Sequence, residues 1–242
     1  MKILIACEEL QTICNQMRLR GHECYSADLQ ECSGGHPEWD IKGDVIPLIN
    51  GRCSFVTMDG VTHYIDSKWD LMIAHPPCTY LTISGNRWFN VEVYGKLAIE
   101  RIKKREAGAE FFMKFVNADC NRIAIENPVG IMSIWYRHPD QIIHPYYFGD
   151  HARKRTCLWL KNLPLLKPTN IVDYGDDIGR SFNLNSGAWH VCDENGKILG
   201  WNDPETAKIR SKTYLGIAKA IADQWGNESL LKNKVMSCKK FW

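Results

Sequence analysis

WDLMIAHPPC, residues 69–78, runs an apolar strand directly into a Pro-Pro-Cys loop. Leu71 to Ala74 carry no polar side chain, so a strand here has both faces covered, as in a mainly parallel sheet flanked by helices. The two prolines restrict the backbone and hold the next side chain in place at low entropic cost, which suits a nucleophile. That side chain is Cys78; its plainer role is a buried loop thiol.

RIAIENPVG (122–130) repeats the pattern and sets Glu126 between an apolar strand and Asn127-Pro128. A carboxylate beside a core strand is rarely buried alone, so Glu126 is expected either to bind something or to titrate high. An N-cap or a salt bridge is the plainer role. KILIAC (2–7) reads as a strand, followed by a helical spacing of Leu10, Ile13, Cys14 and Met17 that Gly21 stops. CYSAD (24–28) is a short strand ending on an acid, and ECSGGHPEWDIKGD (31–44) reads as loop. DVIPLI holds a short helix limited by Pro47, and residues 53–65 form a hairpin around Asp59-Gly60.

Residues 97–118 form a helix with Leu97, Ile102, Ala109, Phe112, Phe115 and Val116 among its apolar positions. Its basic cluster of Arg101, Lys103, Lys104 and Arg105 reads as a solvated face. RTCLWLKNLP (155–164) is another strand ending on proline. Asp203 is a good N-cap, with Pro204 at the first position of a helix carrying Tyr214, Ile217, Ala218, Ile221 and Trp225 on one stripe, closed by Gly226. The whole is an α/β chain in which strands alternate with helices. In such sheets sites form beyond the carboxyl ends of the strands, where Asp28, the HPPC loop and the ENP loop all fall.

HARKR (151–155) spaces Arg153 and Arg155 two residues apart, on one face of an extended chain, where two guanidiniums could clamp a carbonyl, a carboxylate or a phosphate. A solvated charge run is the plainer alternative. Asp28 and Asp44 stand equally between loop acids and ligands for hydroxyl or amino groups, and His75 between orienting the loop and touching a phosphate. A zinc deaminase is excluded: His36-Pro37-Glu38 and Pro77-Cys78 match its pattern, but position 81 is Leu where a second cysteine is needed. No GxGxxG follows the first strand, so the common dinucleotide fingerprint is missing.

The balance of 30 basic and 28 acidic residues excludes a generally polybasic protein that holds nucleic acid by charge alone. The charge is uneven: residues 1–50 hold 4 basic side chains against 8 acidic ones, and the remainder 26 against 20. An anionic substrate therefore suits the later part. No run approaches 18 apolar residues, so no membrane contact is expected. Ten cysteines at least seven residues apart form no CxxC pair, which argues for inert thiols in a reducing cytoplasm and against a structural metal site.

In order, these pieces resemble the cytosine-5 DNA methyltransferase family, and more closely its compact phage and prophage members without a large target-recognition domain. IAHPPCTYL is similar to the family's Pro-Cys nucleophile loop, RIAIENP to its Glu-Asn motif, and HARKR to its Gln-x-Arg-x-Arg motif with His151 in place of Gln. ILIACEE stands where the first cofactor strand and loop lie, CYSADLQ where an acid holds the ribose, and KGDV where an aspartate nears the adenine. SKTYLGIAKAIADQWG resembles the closing helix.

The resemblance implies a Rossmann-like methyltransferase fold. It implies one catalytic domain over residues 1–226 with a reduced insert near 161–204, then a basic tail at 227–242. S-adenosyl-L-methionine would lie against Ala6, Cys7, Glu8, Asp28, Leu29, Asp44, Val45 and Pro76. Cys78 would attack cytosine, Glu126 (partly protonated by burial) would bind its polar edge with Asn127 beside it in the same catalytic motif, and Arg155 with Arg153 would stabilise charge at its carbonyl; no metal is required. Two departures shape the expectation. Ala6-Cys7-Glu8-Glu9 replaces the family's Gly-rich loop, which leaves a modified S-adenosylmethionine derivative open as donor. Only about 45 residues separate Leu160 from Glu205, little for a groove-reading element. The substrate is therefore DNA or a free cytosine nucleotide, and a homodimer could supply the missing surface. A non-catalytic nucleic-acid-binding or regulatory protein is the alternative of a different class.

Overall fold

A computed structural model describes residues 1–173, 180–183, 188–192, 195, 197–200 and 203–227. The strands are β1 Lys2–Ala6, β2 Glu23–Asp28, β3 Asp40–Lys42, β4 Cys53–Val56, β5 Thr62–Ile65, β6 Leu71–Ala74, β7 Ile123–Pro128, β8 Gln141–Ile143, β9 Thr156–Lys161, β10 Arg180–Asn183 and β11 Ala188–Val191. The helices are α1 Thr12–Arg18, α2 Val91–Tyr94, α3 Lys96–Val116, α4 Met132–Trp135, α5 Pro204–Ser211 and α6 Leu215–Trp225.

Seven strands make one sheet in the order β3-β2-β1-β6-β7-β9-β8. β1, β2, β3, β6 and β7 run parallel, whereas β9 is antiparallel to both β7 and β8. This strand order, with one reversed strand near an edge, is that of the Rossmann-like class I methyltransferase fold, the mostly parallel α/β sheet expected.

Side chains alternate between the faces with the two-residue strand period. Leu4 and Ala6 of β1, Met72 and Ala74 of β6, and Ile125 of β7 join a cluster with Phe112 and Phe115 of α3. Ile3, Ile5, Leu71, Ile73 and Ala124 point the other way, against Ile13 and Met17 of α1 and Ile217, Ile221 and Trp225 of α6. Two helical layers therefore explain why the central strands are apolar throughout. The buried indoles are also satisfied: Trp69, Trp159 and Trp225 donate to the carbonyls of Leu48, Arg137 and Pro164.

Two expectations are corrected. Residues 31–44 are not all loop: a single turn at Pro37–Trp39 leads into β3, which pairs Ser26 with Asp40 and Asp28 with Lys42. The closing segment is two helices, because Lys212 leaves helical geometry after α5 and Tyr214 is extended before α6. The apolar positions named on α3 are not all buried, since Leu97 is 66% exposed. The tail expected at 227–242 lies outside the described residues beyond Asn227, and Cys238 with it; the insert expected near 161–204 is described only in part. Among the described residues no helix is long and apolar enough to cross a membrane.

Candidate active site

The parallel strands deliver their carboxyl ends to one edge of the sheet, and β9, being reversed, begins there. The HPPC loop leaves β6 with the His75 amide bonded to the Ala6 carbonyl at 2.9 Å. The buried Asn127 side chain donates to the Pro76 carbonyl at 2.7 Å, tying the proline pair to β7. After Cys78 the chain turns sharply, with the amides of Leu81 and Thr82 both donating to the Cys78 carbonyl. The loop then packs on the segment after β7, where the Ile131 amide donates to the Leu81 carbonyl at 2.8 Å. A Cβ on Gly130 would stand 2.2 Å from that carbonyl oxygen, so only glycine allows the approach. Cys78 is half-buried at the centre of this clamp.

Glu126 sits opposite Leu158 in the β7–β9 register, with 22% of its side chain exposed. Its Oε2 is 3.1 Å from Nδ1 of His75. Both residues border a small cavity of about 20 Å³ together with Lys154, Thr156, Tyr214 and Trp225. Nε2 of His75 is buried and has no hydrogen-bond partner among the described residues. Burial pushes the Glu126 carboxyl up, but the hydrogen bond from His75 and the charge of Lys154 more than offset it, and its pKa lies below the ordinary value. The carboxylate is thus ionised near neutral pH, not partly protonated as burial alone suggests.

The double-arginine segment turns its middle residue, not its arginines, towards the Glu126 cavity. Arg153 and Arg155 share a face, as extended geometry requires, but that face is exposed. Lys154, between them, is half-buried, borders the Glu126 cavity, and donates from Nζ to the Lys212 carbonyl at 3.3 Å. Cys78 feels the same surroundings in the opposite sense. Burial first, then the Glu126 charge, raise its thiol pKa, while Lys154 and Arg210 pull it down without cancelling the rise. At rest the thiol therefore carries the proton and the carboxylate does not.

Around the first three strands the edge is acidic. Cys7 follows β1 with a φ of 59°, and its thiol is pushed up to about 12 by burial, with Asp28 and Asp44 adding to the rise. Asp28 and Asp44 each accept a local amide on Oδ1, from Gln30 and Ile46, and neither Oδ2 has a partner among the described residues. Leu29 beside them is 75% exposed. Ala6, Val45 and Pro76 are buried. Glu8 is taken up by the fold: its carboxylate accepts the amides of Ile13 and Cys14 at 2.7 and 3.1 Å, capping α1 from within.

Arg101 and Arg105 leave the solvated face assigned to their run. Arg105 is 9% exposed, donating to the Tyr80 carbonyl at 2.8 Å and to Oδ1 of Asn86 at 2.7 Å, with its guanidinium 3.3 Å from the Phe89 ring centroid. It anchors the segment that follows Cys78. Lys103 and Lys104 are exposed as expected.

The fold is of the Rossmann-like methyltransferase type. No protein-family model matches the chain, and no curated protein matches it. Among solved structures, one similar in fold is a protein provisionally described as a DNA modification methyltransferase encoded within a prophage of E. coli. The two share 13% identity at a TM-score of 0.41, over 71% of this chain and 51% of that one, so this chain spans about half the length of that structure.

Proposed function

We propose that the protein transfers a methyl group from S-adenosylmethionine to ring carbon 5 of cytosine in DNA through a covalent bond to Cys78. The observation that carries this reading is the convergence of Cys78, Glu126 and Lys154 on one edge of the sheet. A nucleophile, a carboxylate for the amidine edge of the base and a cation for its carbonyl stand there together.

The residues around β1–β3 fit a nucleoside with a cationic end. Asp28 and Asp44 offer carboxylate oxygens to hydroxyl and amino groups, and Leu29 an apolar contact. The α1 amides, being held by Glu8, leave the opposite end of the cofactor to other residues. When bound, the cofactor supplies an electrophilic methyl group.

Carbon 5 of cytosine is a poor nucleophile, and a thiolate adding at carbon 6 drives electron density onto it. The resting site has the right number of protons for that attack on the wrong group. The proton on Cys78 must leave sulfur, and ring nitrogen 3 needs one as negative charge builds. Glu126, ionised at rest, accepts that proton and passes it to nitrogen 3. Lys154 favours the thiolate and faces charge developing on the ring. Arg153 and Arg155, on the exposed face, suit the phosphates that flank the base. Once carbon 5 carries the methyl group the cofactor would supply, return of the nitrogen 3 proton to Glu126, loss of the carbon 5 proton to a solvent base and departure of the thiolate restore the aromatic ring.

Incubation with S-adenosylmethionine and an oligonucleotide carrying 5-fluoro-2′-deoxycytidine tests the reading by intact mass. Trapping is expected with the native chain and not with Cys78→Ala. Absence of any adduct on either DNA or deoxycytidine monophosphate, with no methylcytosine released, would overturn it.

A further inference from the structure

The segment after the Cys78 loop carries a second feature, outside the chemistry above. Residues 80–105 hold six basic side chains (Arg87, Lys96, Arg101, Lys103, Lys104, Arg105) against two acids, Glu92 and Glu100. The cations are laid on aromatic rings. Lys104 lies 5.6 Å from the Tyr80 centroid, Arg101 sits 5.2 Å from Tyr80 and 5.3 Å from Phe89, and Arg105 covers Phe89. Arg87 lies 4.6 Å from Trp88, whose ring meets Tyr94 at 4.9 Å. Among the described residues none of Arg87, Arg101, Lys103, Lys104 and Arg105 forms an ion pair with a carboxylate, and Nε of Arg101 has no hydrogen-bond partner. Trp88 is 39% exposed and Ile83 54%.

Arg105 is held by the fold, but the other cations, unpaired with acids and interleaved with rings, ask for a partner that is anionic and flat at once. A nucleic-acid strand is such a partner: phosphates pair with the cations, while bases stack on rings and guanidinium planes. A base-paired duplex turns its phosphates outward and its bases inward, so the rings would find nothing to stack on. A mononucleotide would fill only one step. We infer that residues 80–105 form the surface on which an unpaired nucleic-acid strand lies as it enters the Cys78 site. Tyr80 is two residues from Cys78, so the path leads directly to the nucleophile. The inference deepens the cytosine reading by making the substrate a polymer with an unpaired target, and its test does not depend on turnover.

Anisotropy of a fluorescein-labelled, cytosine-free strand of about 20 nucleotides, measured with the full chain between about 50 and 300 mM salt, reads strand binding apart from turnover. The strand is expected to bind at least about tenfold tighter than its duplex. Trp88→Ala should weaken it by about tenfold, with Trp88→Phe restoring it. Lys104→Ala should lower the salt slope by about 0.7. Equal affinity for duplex, equal competition by heparin, or unchanged affinity in folded Trp88→Ala and Arg101→Ala would overturn the inference. Strand binding without any Cys78 adduct would sink the chemical reading and leave this surface standing; an adduct formed on DNA without strand preference would do the reverse.

Discussion

His75 holds Glu126 across the β6–β7 pair, its Nδ1 3.1 Å from Oε2, and with Lys154 it reverses the effect of burial on that carboxyl. Removing the imidazole leaves burial opposed by Lys154 alone. In His75→Ala the Glu126 pKa is expected to rise, and in His75→Ala/Lys154→Met to pass above the ordinary carboxylate value. Isotope-edited infrared titration of the Glu126 carboxyl measures this directly; a pKa unmoved in both variants would show that His75 and Lys154 do not set it.

Cys78→Ala is expected to abolish turnover while leaving cofactor affinity within a few-fold, because the fold's acidic edge is untouched. Glu126→Gln keeps the shape but removes the acid, and general acid–base loss is worth about 10²–10⁴ in rate. Single-turnover kinetics on unpaired cytosine substrates checks both, and a Glu126→Gln rate equal to the native one places the proton carrier elsewhere.

Lys154 and its neighbours separate by reactivity. Lys154→Met removes a charge that lowers the Cys78 thiol pKa, so alkylation of Cys78, followed by peptide mapping across pH, should shift to higher pH. Arg153→Ala is expected to leave that profile in place. Equal shifts in the two variants would mean that the cation acting on Cys78 is not specific.

The clamp around the loop is open to a steric test. Gly130→Ala drives a methyl against the Leu81 carbonyl, which must move from its 2.2 Å approach, at a cost of about 1–3 kcal/mol. Asn127→Ala strands the Pro76 carbonyl at a similar cost of about 1–3 kcal/mol. Both should lower kcat more than the melting temperature suggests, since they release the loop that carries Cys78. Melting curves paired with kcat decide this, and a loss of stability without loss of kcat would detach the clamp from catalysis.

Asp40 gives an unusual pH dependence. It is fully buried, accepts the Ser26 hydroxyl at 2.6 Å, and its pKa is raised from 3.8 to about 6, by burial first. A raised carboxyl pKa means that the folded state binds more protons than the unfolded one between these values. Stability from this group is therefore greatest below pH 4 and falls as pH rises towards 6, by up to about 3 kcal/mol. Denaturant unfolding of the native chain and Asp40→Asn across that window should show a steeper fall in the native chain, and equal slopes would remove Asp40 as its source.

Much of this was legible because the strands are covered on both faces. β1, β6, β7 and β9 announce themselves as apolar runs, and their order fixes which loops share an edge. β3 was not legible, since Asp-Ile-Lys has one apolar residue and becomes a strand by pairing with β2 and burying Asp40 on Ser26. Arg105 was hidden in a basic run, although it lies seven residues after Ala98 and four before Ala109, on the buried stripe of α3. The inward placing of Lys154 is not spelled by residue type, since it stands between two arginines. The signal was the buried Thr156 two residues on, which places 154 on the inward face.

That alternation has a consequence for how the site can vary. β9 enters the sheet with Thr156 opposite Pro128, and the inward positions before it are the even ones, Ala152 and Lys154. Deleting or inserting one residue just ahead of Thr156 would exchange the inward lysine for an arginine without altering which residue types are present. The identity of the cation facing Glu126 is thus held by parity of count, a property that composition and motif spelling both overlook.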